Sequence, residues 1–218
     1  MKKAFWISMG IIVIQFIACI FLYSTLPEQI PTHWNAHGEI DSYGPRWTIF
    51  MLTAISLVVL TLLYFVPKMD PKGKNILDSG RIVPLMMVTL TVLFALLFVV
   101  TVLASLGYNV AINTVVPAAV GVLFILIGNY MPKIKPNYMM GIRLPWTLAD
   151  EGVWHKTHRL GGKVFMFGGL AFVIATFLPA PINFIFPLVI LLGGIFWTGV
   201  YSFLELKKVK KTSADAEK

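Results

Sequence analysis

The chain has 218 residues, of which 57% are hydrophobic and only 13% charged, and its mean hydropathy is +0.79. A water-soluble globule of this size has no interior large enough to hide that much apolar surface, so lipid is the solvent for most of the molecule. The formal charge of +8 and the pI of about 9.6 would suit a nucleic-acid partner, but the placement of the cations along the chain accounts for them otherwise.

A bilayer core of about 30 Å needs roughly 20 apolar residues in a helix. Six uncharged runs near that length, at 4–26, 47–66, 82–106, 110–127, 164–179 and 182–204, predict an all-α integral membrane protein with six transmembrane helices. The first run follows Met-Lys-Lys and so mimics a secretory signal, but no A-x-A cleavage site comes after it. The residues around Cys19 weakly resemble a lipoprotein cleavage box, yet the apolar run continues through Leu22, which favours a plain first span. Cys19 is the only cysteine, which excludes an intramolecular disulfide and a thiolate metal cluster.

The loop at 27–46 is rich in turn residues: Pro27, Pro31, Gly38, Gly44 and Pro45. His33 and His37 are four residues apart, which on a helix puts both imidazoles on one face, with Glu28, Glu39 and Asp41 as nearby oxygen donors for zinc. Pro31 and Gly38 leave room for at most one helical turn, and no His-Glu-x-x-His arrangement is present. Local hydrogen bonding, with Trp34 at the headgroup level, is therefore preferred to a metal site. His33, Trp34, Asn35 and His37 are the candidates for contact with an extracellular ligand.

No predicted span holds Asp, Glu, Lys, Arg or His in its interior, which argues against an ion-coupled carrier and leaves a small-solute facilitator open. Asn113 and Asn183, near span ends, and Gln15 are expected to form hydrogen bonds between helices. Pro117 and Pro187 are expected to kink their helices. The chain divides into a two-span unit at 1–67, a four-span unit at 82–206, and a basic, polar tail at 207–218.

Between the fourth and fifth spans lies GNYMPKIKPNYMMGIRLPWTLADEGVWHKTHRLGGK, residues 128–163. Pro132 and Pro136 stop the fourth helix, Lys133 and Lys135 meet the anionic leaflet, and Trp146 marks the interface. Thr147, with Asp150 three residues on, reads as the N-cap of a short helix through Glu151, Trp154, His155 and His158 toward Gly161-Gly162. Such a helix is suited to lie in the interface. That reading is favoured on physics alone; the density of Asn129, Lys133, Asn137, Arg143, Trp146, Trp154, His158 and Arg159 gives a docking surface for a cytoplasmic partner as the second reading, since Trp and Arg dominate binding hot spots. The segment's only carboxylates are Asp150 and Glu151, and it has no Ser or Cys nucleophile, so neither an enzyme nor a cofactor is expected. The fifth run is short. Gly168-Gly169 and Gly193-Gly194 allow close helix approach within the bundle, a reading preferred to a dimer face.

Cytoplasmic loops carry the positive charge of membrane proteins. With the N-terminus inside, only Arg46 of the 18 basic residues falls on the outer side. Both termini are therefore expected in the cytoplasm, and the basic pI needs no direct nucleic-acid partner.

The 128–163 segment carries G-N-x-x-P-K, P-N, G-I-R-x-P-W-T-L and V-W-x-x-T-H-R, and with these motifs the chain resembles the SdpI family of bacterial membrane proteins over nearly its full length. The first loop, LPEQIPTHWNAHGEID, is similar to a small domain of unknown function often found at the N-terminus of these proteins. The resemblance implies a six-span immunity protein in the bacterial plasma membrane that protects its host from a secreted, membrane-active peptide toxin. It further implies a receptor that, once toxin-bound, holds a transcriptional repressor at the membrane. Arg143, Trp146, Trp154, His158 and Arg159 would then help form the cytoplasmic face. Membrane lipid, the toxin and the repressor are the partners so implied.

Overall fold

The structure is a computed structural model and describes residues 1–216, so the last two residues of the 207–218 tail lie outside it. It is built from α1 (Lys2–Leu22), a hairpin of β1 (Gln29–Trp34) and β2 (Ile40–Pro45), α2 (Ile49–Met69), the short α3 (Gly73–Leu77), α4 (Ile82–Ser105), α5 (Ile112–Tyr130), the short α6 (Pro145–Ala149), α7 (Glu151–Ala175) and α8 (Ile182–Ala216). Five helices, α1, α2, α4, α5 and α8, are long and apolar enough to cross a bilayer by length and composition. The sixth long helix, α7, differs because Lys156, Arg159 and Lys163 lie in its first half. Its uncharged stretch at 164–175 spans about 18 Å at 1.5 Å per residue, against about 30 Å for a hydrocarbon core.

The bundle is helical, but the outer loop departs from the all-α expectation. Residues 29–45 pair as an antiparallel hairpin with Ile30 opposite Gly44 and Trp34 opposite Ile40. The turn closes on Asn35, whose Oδ1 accepts from the amides of His37 at 2.9 Å and Glu39 at 3.1 Å, an Asx-type turn that competes with helix. Gly38 completes it at φ +82°, and a Cβ there would lie 2.9 Å from Asn113 Cβ, so glycine supplies both the turn and the close approach to α5.

Packing sets the helices in two groups. The first joins α1, α2 and α4; the second joins α5, α7 and α8. Packing thus places α4 with the N-terminal helices, whereas the sequence-based division at 67–82 assigned it to the second unit. At one end a single apolar cluster spans both groups, with Ile12, Leu60, Met87, Met131 and Trp154 among its members. At the other end Cys19, Leu26, Ile30, Ile49, Phe98 and Val102 form a cluster confined to the first group and the hairpin. The groups are therefore joined at one end and part at the other.

α5 and α7 meet backbone to backbone. A Cβ on Gly169 would stand 2.5 Å from the Gly121 carbonyl and one on Gly128 would stand 2.6 Å from the Gly162 carbonyl. Small residues at such a crossing let two helices approach within van der Waals distance without a hydrophobic driving force in lipid. Gly168 and Gly194 likewise face Leu191 and Val164, while Gly193 meets nothing within 4 Å. Asn183 Nδ2 donates to the Asn113 carbonyl at 2.7 Å, tying α8 to the start of α5 as expected. Gln15 is buried with neither amide atom hydrogen-bonded.

Gly169→Leu is expected to destabilise the detergent-solubilised protein by about 2 kcal/mol or more through forced overpacking, read as a lower thermal melting point. Gly193→Ala, which meets open space, should leave the melting point unchanged or raise it slightly. Equal melting of the two variants would refute the packing assignment.

Candidate functional site

Where the helix groups part, an apolar cavity of about 630 Å³ lies beneath the hairpin. Its roof is Ile30 to Ala36, and its walls come from α2 (Leu52, Ile55), α4 (Leu97, Val100), α5 (Val116, Pro117) and Phe184 of α8. A cavity of this size and lining is suited to an apolar side-chain cluster or a chain of methylenes. Thr101, one of its few polar wall residues, spends its hydroxyl on the Leu97 carbonyl at 2.8 Å. The cavity thus presents apolar surface with little competing hydrogen-bonding demand.

Of the four outer-loop candidates, His33, Trp34 and Asn35 line this cavity and His37 does not. The shared helical face that a metal site would need does not form, because His33 lies in β1 and His37 in the Asn35 turn. His33 Nδ1 instead lies 2.6 Å from Asp41 Oδ1 across the hairpin. Among the described residues no three His, Cys, Asp or Glu side chains converge as a metal ion would require.

The opposite end is closed by an interlocked polar cap. Asn137 is its pivot, with Oδ1 accepting from the amides of Met139 at 3.0 Å and Met140 at 2.7 Å and Nδ2 donating to the Lys135 carbonyl at 2.8 Å. Trp154 Nε1 donates to the Ile134 carbonyl at 2.7 Å. His158 stacks on Trp154 with ring centroids 4.0 Å apart. Its Nε2 accepts from the Ile142 amide at 3.0 Å, and its Nδ1 faces the Trp154 carbonyl at 2.8 Å, so the neutral Nδ1-H tautomer satisfies both partners. Gly141, at φ +100°, packs directly on the imidazole, where a Cβ would collide with Nε2.

α7 starts at Asp150, whose Oδ1 accepts from the Val153 amide at 2.7 Å, three residues after the expected cap. Thr147 instead accepts from the Leu144 amide at 2.9 Å and donates to the Ile142 carbonyl at 2.8 Å, closing the turn before α6. Nor is the helix short. It continues through Gly161-Gly162 to Ala175, because those glycines sit at contacts with Ile142 and Pro132 and serve packing, not termination.

The cap separates the inner candidates into two sets. Asn137, Trp154 and His158 are buried and shape the cap from within. Asn129, Lys133, Arg143 and Arg159 are exposed and Trp146 is half-buried. Trp146 donates to Ser202 Oγ at 2.8 Å and Arg143 to the Tyr138 carbonyl at 2.6 Å. Buried side chains cannot be touched by a partner, so of these candidates only the exposed set is available for contact.

Sequence reasoning missed the 70–79 segment. Asp70 caps the turn through the Lys72 amide at 2.6 Å and accepts from the Tyr138 amide at 2.8 Å. Asn75 Nδ2 donates to the Pro136 carbonyl at 2.7 Å, and Ser79 Oγ accepts from the Lys135 amide at 2.9 Å. The available signal was the run of turn-forming residues in Asp-Pro-Lys-Gly-Lys-Asn, which marks a shaped loop.

Residues 133–202 match the SdpI/YfhL protein family and residues 10–57 match a domain of unknown function, DUF1648. A Bacillus subtilis (strain 168) protein named Immunity protein SdpI is 30% identical over 210 residues, 96% of this chain and 98% of that one. The chain belongs to the SdpI/YfhL family. An uncharacterized protein of Archaeoglobus fulgidus is 34% identical over 50 residues, 23% of this chain and 27% of that protein. No solved structure matches. With its apolar helices, this family member is a multi-pass membrane protein. The 10–57 match contains the hairpin, the 133–202 match contains most of the cap, and the cavity under the hairpin draws walls from both helix groups.

Burial lowers the His158 pKa from 6.5 to about 4, through desolvation of the imidazolium. Above pH 6.5 both folded and unfolded chains carry the neutral ring, and the full stability is present. Between pH 6.5 and about 4 the unfolded chain takes up a proton that the folded cap excludes, so stability falls as pH falls. The parent protein's melting temperature is expected to drop more steeply from pH 7 to pH 5 than that of His158→Gln. Parallel pH profiles would show that His158 is not held neutral.

Proposed function

We propose that this protein is an immunity receptor: it protects the bacterium that makes it from a secreted, membrane-active peptide by taking an apolar part of that peptide into the cavity under the hairpin. The reading is carried by that cavity, which is apolar and bounded by both helix groups where they part. The likeness over 96% of the chain to a protein named as an immunity protein supports it. A facilitator would need a polar path through the bundle, and the walls here are apolar.

The second half of the proposal is a signal. α2, α4 and α5, which wall the cavity, are tied at the far end by Asp70, Asn75 and Ser79 to residues 135–138. A ligand that spreads the groups at the open end strains these ties, and the exposed Lys133 and Arg143 surface changes shape for a cytoplasmic partner such as a transcriptional repressor.

The topology is part of the same proposal. Ala4 lies in the cap-end cluster with Trp154, and the far part of α8 reaches Trp146 and Lys156 at the same end. Both chain ends therefore share one side, which an even number of crossings produces if α7 is the sixth span. The Lys and Arg census supports a cytoplasmic placement of that side, and the likeness to a bacterial immunity protein supports a bacterial plasma membrane.

In a Cys19→Ser background, Ser42→Cys should react with a membrane-impermeant maleimide in intact cells and Lys210→Cys only after permeabilisation; the reverse pattern would invert the topology. For function, toxin-sensitive bacteria expressing the parent should survive a family-type secreted peptide. Val116→Trp, which fills the cavity, should abolish survival at matched membrane abundance, while Arg143→Ala should retain it. Full protection by Val116→Trp would remove the cavity from the mechanism. Unchanged protease sensitivity of the 131–150 segment with peptide bound would remove the signal.

A further inference from the structure

At the cap end the outward faces of α7 and α8 form a basic hollow of about 690 Å³. Lys156, Arg159 and Lys163 recur at three- and four-residue steps along one face of α7, opposite Trp197, Tyr201 and Lys208 of α8. Glu205 is the hollow's single carboxylate, and it is already engaged: it accepts from Lys156 Nζ at 2.7 Å and from Lys208 Nζ at 2.6 Å. Among the described residues no carboxylate lies within ion-pair distance of Arg159 or Lys163, and both side chains are exposed. The hollow is thus an anion site with its own acid neutralised.

A second feature says what kind of anion. Directly beyond Lys163 and Trp197 the same two helix faces turn from charged to apolar and stay exposed, with Phe167 at 60%, Ile174 at 59% and Ile190 at 43%. Trp197 itself is 55% exposed, at the charged-to-apolar boundary where tryptophan settles in membranes. A free anion has no use for this apolar face. An amphiphile fits both parts.

We propose that this hollow binds the headgroup of an anionic phospholipid, with its phosphate between Arg159 and Lys163 and its acyl chains along Phe167, Ile174 and Ile190. Arginine offers a planar fork matched to two phosphate oxygens and lysine a mobile point charge, so the pair both orients and neutralises the group. Basic pockets between membrane helices take acidic headgroups by this chemistry. The site does not depend on the immunity reading. It gives Arg159 a partner in the membrane, and it fixes α7, the least apolar of the long helices, against the bilayer.

Native mass spectrometry of the full-length protein, loaded with phosphatidylglycerol or phosphatidylcholine of matched chains, tests the assignment. The parent should retain phosphatidylglycerol at least about tenfold better, the scale of two surface cations acting on one headgroup. Arg159→Gln/Lys163→Gln should reduce the preference to about twofold or less. The charge-keeping Arg159→Lys/Lys163→Arg, and Lys2→Gln/Lys3→Gln as an equal loss of charge elsewhere, should both keep it. A parent without preference, or a Gln double variant that keeps the parent's preference, overturns the proposal. Displacement of phosphatidylglycerol by millimolar inorganic phosphate also overturns it, since that would identify a free-anion site.

Discussion

The loop between α5 and α7 has no regular ladder to satisfy its backbone, yet it is packed against the end of a helix bundle where unpaired amides and carbonyls are costly. Side chains do that work instead. Asn137 serves Met139, Met140 and Lys135; Trp154 serves Ile134; His158 serves Ile142; and Asp70, Asn75 and Ser79 serve residues 135–138. Each side chain is a single rigid solution for the loop segment it holds. Because these side chains come from α7, from the 70–79 segment and from the loop itself, the cap also clamps the two helix groups together.

The clamp at one end gives the parting at the other its meaning. With α2 and α4 tied to α5 at the cap, the groups stay joined there and part around the cavity at the far end. The hairpin closes that cavity by placing Ile30 in the outer apolar cluster and Gly38 against Asn113. The glycine contacts of α5 with α7 pack the second group backbone to backbone.

α7 illustrates how one helix serves several solvents. Its first turns hold the buried Trp154 and His158, its outward face carries Lys156, Arg159 and Lys163, and its last turns are apolar around Gly168 and Gly169. Hydropathy averaged over this helix is diluted by the three cations, which is why its span read as short in the sequence. Its continuity depends on glycines that in a sequence look like a stop and in the fold are contact points.

Residue type and order alone determined the membrane class, the positions of the apolar helices and the asymmetry of charge, because those follow from apolar length and cation placement without reference to any neighbour. They also singled out the 128–163 segment and the turn-rich outer loop. Which residues there are exposed and which face inward was decided only by tertiary structure. Trp154, His158 and Asn137 carry the same recognition chemistry as Trp146 and Arg143, and burial alone separates them. The hairpin in place of a histidine face, the cap contacts of Asp70, Asn75 and Ser79, and the cavity between helix groups all arise from contacts between segments far apart in the chain, which no local pattern encodes.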